Sequence, residues 1–160
     1  EVFMKQSTLE LDYLGYNFFR EFARYEYCLK VTGFRKGTNT RVEADWYKYA
    51  GEFVSLIESP SKELNESISY LINNPPKKQV LKYGLLCWSN VLPDHRNKSE
   101  LVFSLICRIR NNLFHGGKFN GEWFSPQRSK ELIEHALIIL RTCGKSHSTV
   151  LKAYNGQHDE

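Results

Sequence analysis

Apolar residues return every three or four positions through most of this chain, the period of a helix with one buried face. Leu11, Leu14, Phe18, Phe22, Tyr25 and Leu29 form the first stripe. Ser7 and Glu10 have capping-box spacing before it and Gly33 offers a stop after it, so a helix of about 22 residues is predicted. Residues 34–41, with Gly37, Thr38 and Asn39, read as a loop. Helical spacing resumes near Glu43, runs through Trp46, Tyr49, Phe53 and Ile57, and stops before Pro60. Residues 61–73 form a short helix, and Pro75 and Pro76 break the chain. The apolar run 80–88 fits a short helix or an extended piece, and its period does not choose between them. Ser99 opens a strongly patterned helix through Val102, Leu105, Ile106, Ile109 and Leu113, closed by Gly116 and Gly117. Ser125 and Pro126 start the next, which halts around Gly144; the tail from Asn155 is expected to fray. No alternation of period two persists. The pattern predicts an all-α bundle of five to six helices, with residues 1–160 as one domain.

Composition narrows this picture. The chain has 160 residues, 41% hydrophobic and 25% charged, with 10 Gly and 5 Pro, which excludes a disordered or low-complexity protein. Ten Phe and nine Tyr against a single Met point to a core of rings packed on Leu and Ile. The net charge of +4 is compatible with a polyanionic partner without demanding one. No apolar stretch approaches the ~20 residues of a membrane span, and no secretory leader pattern opens the chain. Cys28, Cys87, Cys107 and Cys143 are widely spaced and read as reduced thiols, so the expected compartment is the cytoplasm.

Phosphate-loop, dinucleotide-loop, nucleophile-elbow and zincin motifs are all missing, and the His and Cys residues lack metal-ligand spacing. Neither metal nor cofactor is therefore expected. The unusual segment is Cys-Arg-Ile-Arg-Asn-Asn-Leu-Phe-His-Gly-Gly-Lys, residues 107–118. At about 100° per residue, Arg110 lies near the line of Phe103 and Ile106, a cation beside an apolar face that needs an acceptor. In a continuing helix His115 points about 140° away from Arg110. The glycines after it give the chain freedom to swing the ring back. A guanidinium, an amide and an imidazole at one helix end supply a phosphate clamp, an orienting group and a proton carrier, the parts needed to cleave RNA through its own 2′-OH.

This segment resembles the R-x(4–6)-H motif of the HEPN superfamily, small α-helical domains many of which are metal-independent endoribonucleases among toxins and antiviral effectors. Arg110, Asn111 and His115 match the motif's Arg, its frequent polar neighbour and its His. The aromatic first helix fits too, and Glu26 with Lys30 looks like an acidic/basic pair that some families carry there. Arg108 to His115, Arg128 to His135 and Arg141 to His147 also satisfy the spacing; only Arg110 to His115 combines the Asn, the helix end and the double glycine. Glu26 and Lys30 read equally as a surface ion pair or as a buttress for Arg110. Lys77, Lys78 and Lys118, with the pair Arg35 and Lys36, are candidates for a weak RNA-backbone footprint, though basic pairs are also ordinary surface. The Trp rings read as core, and His135 and His147 as helix-flank and surface residues.

The resemblance implies an endoribonuclease whose products end in 2′,3′-cyclic phosphate. One histidine cannot be both acid and base, so it further implies a homodimer with a composite site, the helices from Ser99 to His115 at its centre. The expected partners are RNA, a second copy and an antitoxin or regulator, with no membrane. The alternative is a non-catalytic HEPN-like module binding a nucleotide, RNA or protein.

Overall fold

The computed structural model of the chain describes residues 2–115, 123 and 125–157. Among them are seven helices and two small antiparallel hairpins, so the fold is mostly α rather than all-α. Helix α1 runs Val2–Val31, straight through the expected start at Ser7. It ends as anticipated: Gly33 takes a φ of +89°, and Phe34 N–H reaches back to the Leu29 carbonyl at 2.9 Å, satisfying an end carbonyl of the helix.

The expected loop at 34–41 is instead a hairpin, β1 (Arg35–Thr38) paired with β2 (Arg41–Ala44). Asp45 then caps α2 (Trp46–Gly51) by accepting from Lys48 N–H at 3.0 Å, and α3 (Val54–Glu58) follows. The single helix predicted from Glu43 is thus a strand and two short helices. Ser61 caps α4 (Lys62–Asn73) close to expectation.

The ambiguous run 80–88 is a second hairpin, β3 (Lys78–Lys82) with β4 (Leu85–Ser89). Tyr83 and Gly84 form its two-residue turn, both at positive φ (53° and 76°), as a primed hairpin turn requires. Then come α5 (Lys98–Phe114), α6 (Pro126–Ser146) and α7 (Ser148–Tyr154). Gly144 does not stop α6; it lies inside the helix against the Tyr25 ring, where a Cβ would collide. His147 ends α6 and caps α7, its Nδ1 accepting from Val150 N–H at 3.3 Å, while Phe34, Tyr49 and Phe53 surround its ring. It is therefore a packed hinge residue rather than a surface one.

Helix α5 is the axis of the bundle: α1, α2, α3, α4 and α6 all pack on it, and ten of its seventeen residues are buried. One hydrophobic cluster extends from Leu11 to Ala153. Because α5 is wrapped on so many sides, a dimer with whole α5 helices at its centre finds little of that helix exposed. Among the described residues no helix is long and apolar enough to cross a membrane.

Candidate functional site

The last turns of α5 open on a cleft of about 430 Å³. Arg108, Asn111, Asn112 and His115 enter its wall because positions three, four and seven apart share one helix face. The two hairpins supply the other sides, with Lys36 from β1 and Lys78 and Gln79 from β3. The site is thus a concave surface bearing a histidine, amides and cations, next to exposed Asn111 and His115.

Arg110 is not in that wall. It faces α1, where Nη2 stands 3.5 Å from Glu26 Oε1 and the guanidinium carbon lies 5.0 Å from the centre of the Phe22 ring. Glu26 meets Arg110, and among the described residues no ion pair joins it to Lys30; the Lys30 carbonyl accepts from Arg35 instead, at 2.7 Å. With the two side chains 28% and 32% exposed, the pair is wet and stabilises by no more than about 1 kcal/mol. Arg110 Nε is buried with no hydrogen-bond partner among the described residues, leaving the guanidinium incompletely satisfied.

His115 does not swing toward Arg110. Its N–H bonds the Asn111 carbonyl at 3.0 Å, so helical geometry continues into it and the ring stays on the cleft side, 5.4 Å from Phe114. The expected turn-back at the glycines falls on Gly116 and Gly117, which lie outside the described residues, as does Lys118.

Arg108 and Asn112 were not singled out as site residues, yet they build the cleft. Arg108 Nη1 donates to the carbonyls of Pro76 (3.3 Å) and Val91 (2.8 Å), and Asn112 Nδ2 donates to that of Lys77 (2.8 Å). Arg128 from α6 adds bonds to Asn74 and Pro75 carbonyls. Together they pin the root of the β3–β4 hairpin to the bundle. The signal was present in sequence: Arg108, Asn111, Asn112 and His115 are polar at helical spacing on one face. The Lys77 side chain is exposed and outside the cleft wall, whereas Lys78 is in it.

Cys107 also lines the cleft, but burial pushes its thiol up to about 12, so it is a protonated neighbour at neutral pH. His135 lies stacked on Tyr70 (ring centroids 4.4 Å apart) with Nδ1 3.1 Å from Ser67 Oγ, part of the α4–α6 contact. Trp46 and Trp123 are core as expected; Trp88 is 42% exposed and is not. Among the described residues no cluster of His, Cys, Asp or Glu could hold a metal ion. No protein-family model, curated protein or solved structure matches the chain.

Proposed function

We propose that the chain is a HEPN-like, metal-independent endoribonuclease of the toxin or antiviral-effector kind. One observation carries the reading: a cleft that gathers His115 and Asn111 with Lys36, Lys78 and the buried Arg108. Such a surface attracts a phosphodiester and places an imidazole beside it. In this mechanism His115 moves the proton of the 2′-OH or of the leaving 5′-oxygen. Asn111 orients the phosphate, and the lysines offset its charge. Arg110, steadied by Glu26 and Phe22 on the adjoining face, adds positive charge at the same helix end. Because each chain brings one motif histidine, two chains share the work, one as base and one as acid.

The alternative, a non-catalytic module binding RNA, a nucleotide or a protein, draws on a different observation: Arg110 is engaged by Glu26 and stands outside the cleft wall.

A single experiment separates the two. RNA incubated with the chain in EDTA should yield fragments ending in 2′,3′-cyclic phosphate and 5′-hydroxyl. His115→Ala and Arg110→Ala should each slow this by roughly 100-fold while remaining folded. Binding without cleavage by the wild-type chain selects the module, and an absolute need for Mg²⁺ or Mn²⁺ rejects the proposed chemistry.

A further inference from the structure

The side of α1 turned away from the end of α5 carries a second cavity. At 100° per residue Asn17, Arg20, Glu21 and Arg24 share one face of the helix. Arg24 lies about 160° around α1 from Glu26, the residue that meets Arg110. These four, with Arg141 of α6 and Tyr154 of α7, line a cavity of about 240 Å³. All six side chains carry a polar or charged group, and three are guanidiniums.

Hydrogen bonds divide these groups into spent and unspent. Glu21 is spent: Oε1 accepts from Arg141 Nε at 3.0 Å, with Nη2 at 2.9 Å, and Oε2 accepts from the Tyr154 hydroxyl at 3.0 Å. Its charge is matched by Arg141, so no carboxylate of the lining is left for Arg20 or Arg24. Neutral groups hold Arg24 in place. Its Nη2 donates to the Tyr154 carbonyl, and its guanidinium carbon stands 4.1 Å from the centre of the Tyr154 ring. Arg20 and the Asn17 amide make no side-chain hydrogen bond or ion pair among the described residues. Three guanidiniums gathered around one carboxylate repel one another, and an anion between them relieves that cost. We propose that this cavity binds a phosphate dianion, free or as the end of a small phosphomonoester, with Asn17, Arg20 and Arg24 donating to its oxygens.

Charge, size and the lining select this ligand. Three guanidiniums less one carboxylate leave a charge of +2. A phosphomonoester, at about −2 near neutral pH, matches it, whereas a backbone diester carries about half that charge. The volume falls below the ~300–1,000 Å³ of sites that enclose a whole drug-sized ligand, and so suits one phosphate group. Tyr154 is the only ring in the lining. Arg24 covers it and Tyr25 packs on it, with ring centroids 4.9 Å apart, so it offers a nucleobase no free face. Lys145 and Lys152, on the same helices as Arg141 and Tyr154, stand outside the lining. A track for successive RNA phosphates would draw on them, and an RNA competitor detects that case. The site uses no residue of the candidate cleft, so it stands or falls separately from the ribonuclease reading.

The test is an NMR titration of the full chain at constant ionic strength in phosphate-free buffer, following the arginine Nε–Hε signals. Inorganic phosphate should shift those of Arg20 and Arg24 saturably, with a Kd of about 1 mM or tighter, and ribose 5-phosphate should do the same. Arg20 is exposed, so Arg20→Gln should stay folded and weaken binding by roughly 10-fold or more through loss of a charged donor. If its helical circular dichroism is lost, Asn17→Asp, which sets a second carboxylate in the cavity, delivers the same comparison. Arg41→Gln, on the exposed β1–β2 hairpin, should leave binding unchanged. Dimethyl phosphate, a singly charged diester, should bind at least about 10-fold more weakly, and an RNA oligonucleotide without terminal phosphates should not displace phosphate. The proposal is overturned by shifts that do not saturate, by equal shifts with chloride, or by undiminished binding in a folded Arg20→Gln. Dimethyl phosphate binding as tightly as phosphate, or displacement by the oligonucleotide, overturns it as well.

Discussion

The two ends of α5 are built from the same kinds of residue and treated in opposite ways. At the first end the cap and the buried polar side chains are occupied. Asn97 caps the helix by accepting from Glu100 N–H at 2.9 Å, and the Ser99 hydroxyl donates to the Ala50 carbonyl at 2.7 Å. Glu100, itself buried, accepts from Arg96 through the backbone N–H and two guanidinium nitrogens at 2.6–2.9 Å. At the last end Asn111 and His115 stand exposed, Phe114 is open to solvent, and Arg110 Nε is buried without a partner among the described residues. Stability is concentrated where the helix begins and unspent hydrogen-bonding capacity where it ends. An anchored start beside an exposed last turn suits a rigid scaffold that holds out a candidate site.

This contrast can be broken in graded ways. The largest effect is expected at the buried middle, where Leu105→Ala should lower unfolding free energy by about 3 kcal/mol, measured by urea denaturation, because it leaves a cavity under five helices. A sharper comparison uses one residue type at both ends. Asn97→Ala should cost about 1 kcal/mol through loss of the cap, whereas Asn111→Ala should change stability by less than about 0.5 kcal/mol and appear in RNA binding or cleavage instead. Equal destabilisation by the two would erase the distinction.

The subtlest test is pH, because the two ends respond in opposite directions. Arg96 hydrogen bonds hold the Glu100 carboxyl below its ordinary range. The unfolded chain takes up that proton first, so this contribution is lost as pH falls through the acid range. Burial pushes the Cys107 thiol up to about 12. The unfolded chain releases that proton near pH 9 while the folded chain keeps it, so stability falls between about pH 9 and 12. Urea midpoints across pH measure each share: Glu100→Gln should reduce the acid limb, to which Glu131 also contributes, and Cys107→Ala the alkaline limb, to which Cys143 and Tyr70 also contribute.

The legibility of the sequence follows the same physics. Helices α4, α5 and α6 could be read because each buries one stripe at a 3.6-residue period, as Leu64, Ile68 and Leu71 do in α4. The hairpins could not. In β1 and β2 the residues from Arg35 to Val42 are exposed, so no buried alternation marks them. In the second hairpin the turn is hidden by a tyrosine at a position where Asn or Gly usually announces it. At the candidate site the motif located Arg110, Asn111 and His115 but not the face each would occupy. The 100° spacing already set Arg110 apart from His115; the freedom credited to the glycines was what obscured it. Lys36 reads in the sequence as part of a basic pair, but its place in the cleft depends on an unread hairpin.

The first helix meets α6 and α7 across great lengths of chain. Glu21 on α1 takes Arg141 at 3.0 Å and the Tyr154 hydroxyl at 3.0 Å, residues 120 and 133 positions later, and Arg24 donates to the Tyr154 carbonyl. During synthesis α1 therefore leaves the ribosome with part of its apolar stripe uncovered, waiting for α6 and α7. The segment from Arg110 to His115 emerges well before the bundle that holds it can close. The order of translation thus makes the candidate turn before α6 and α7, which pack on α1.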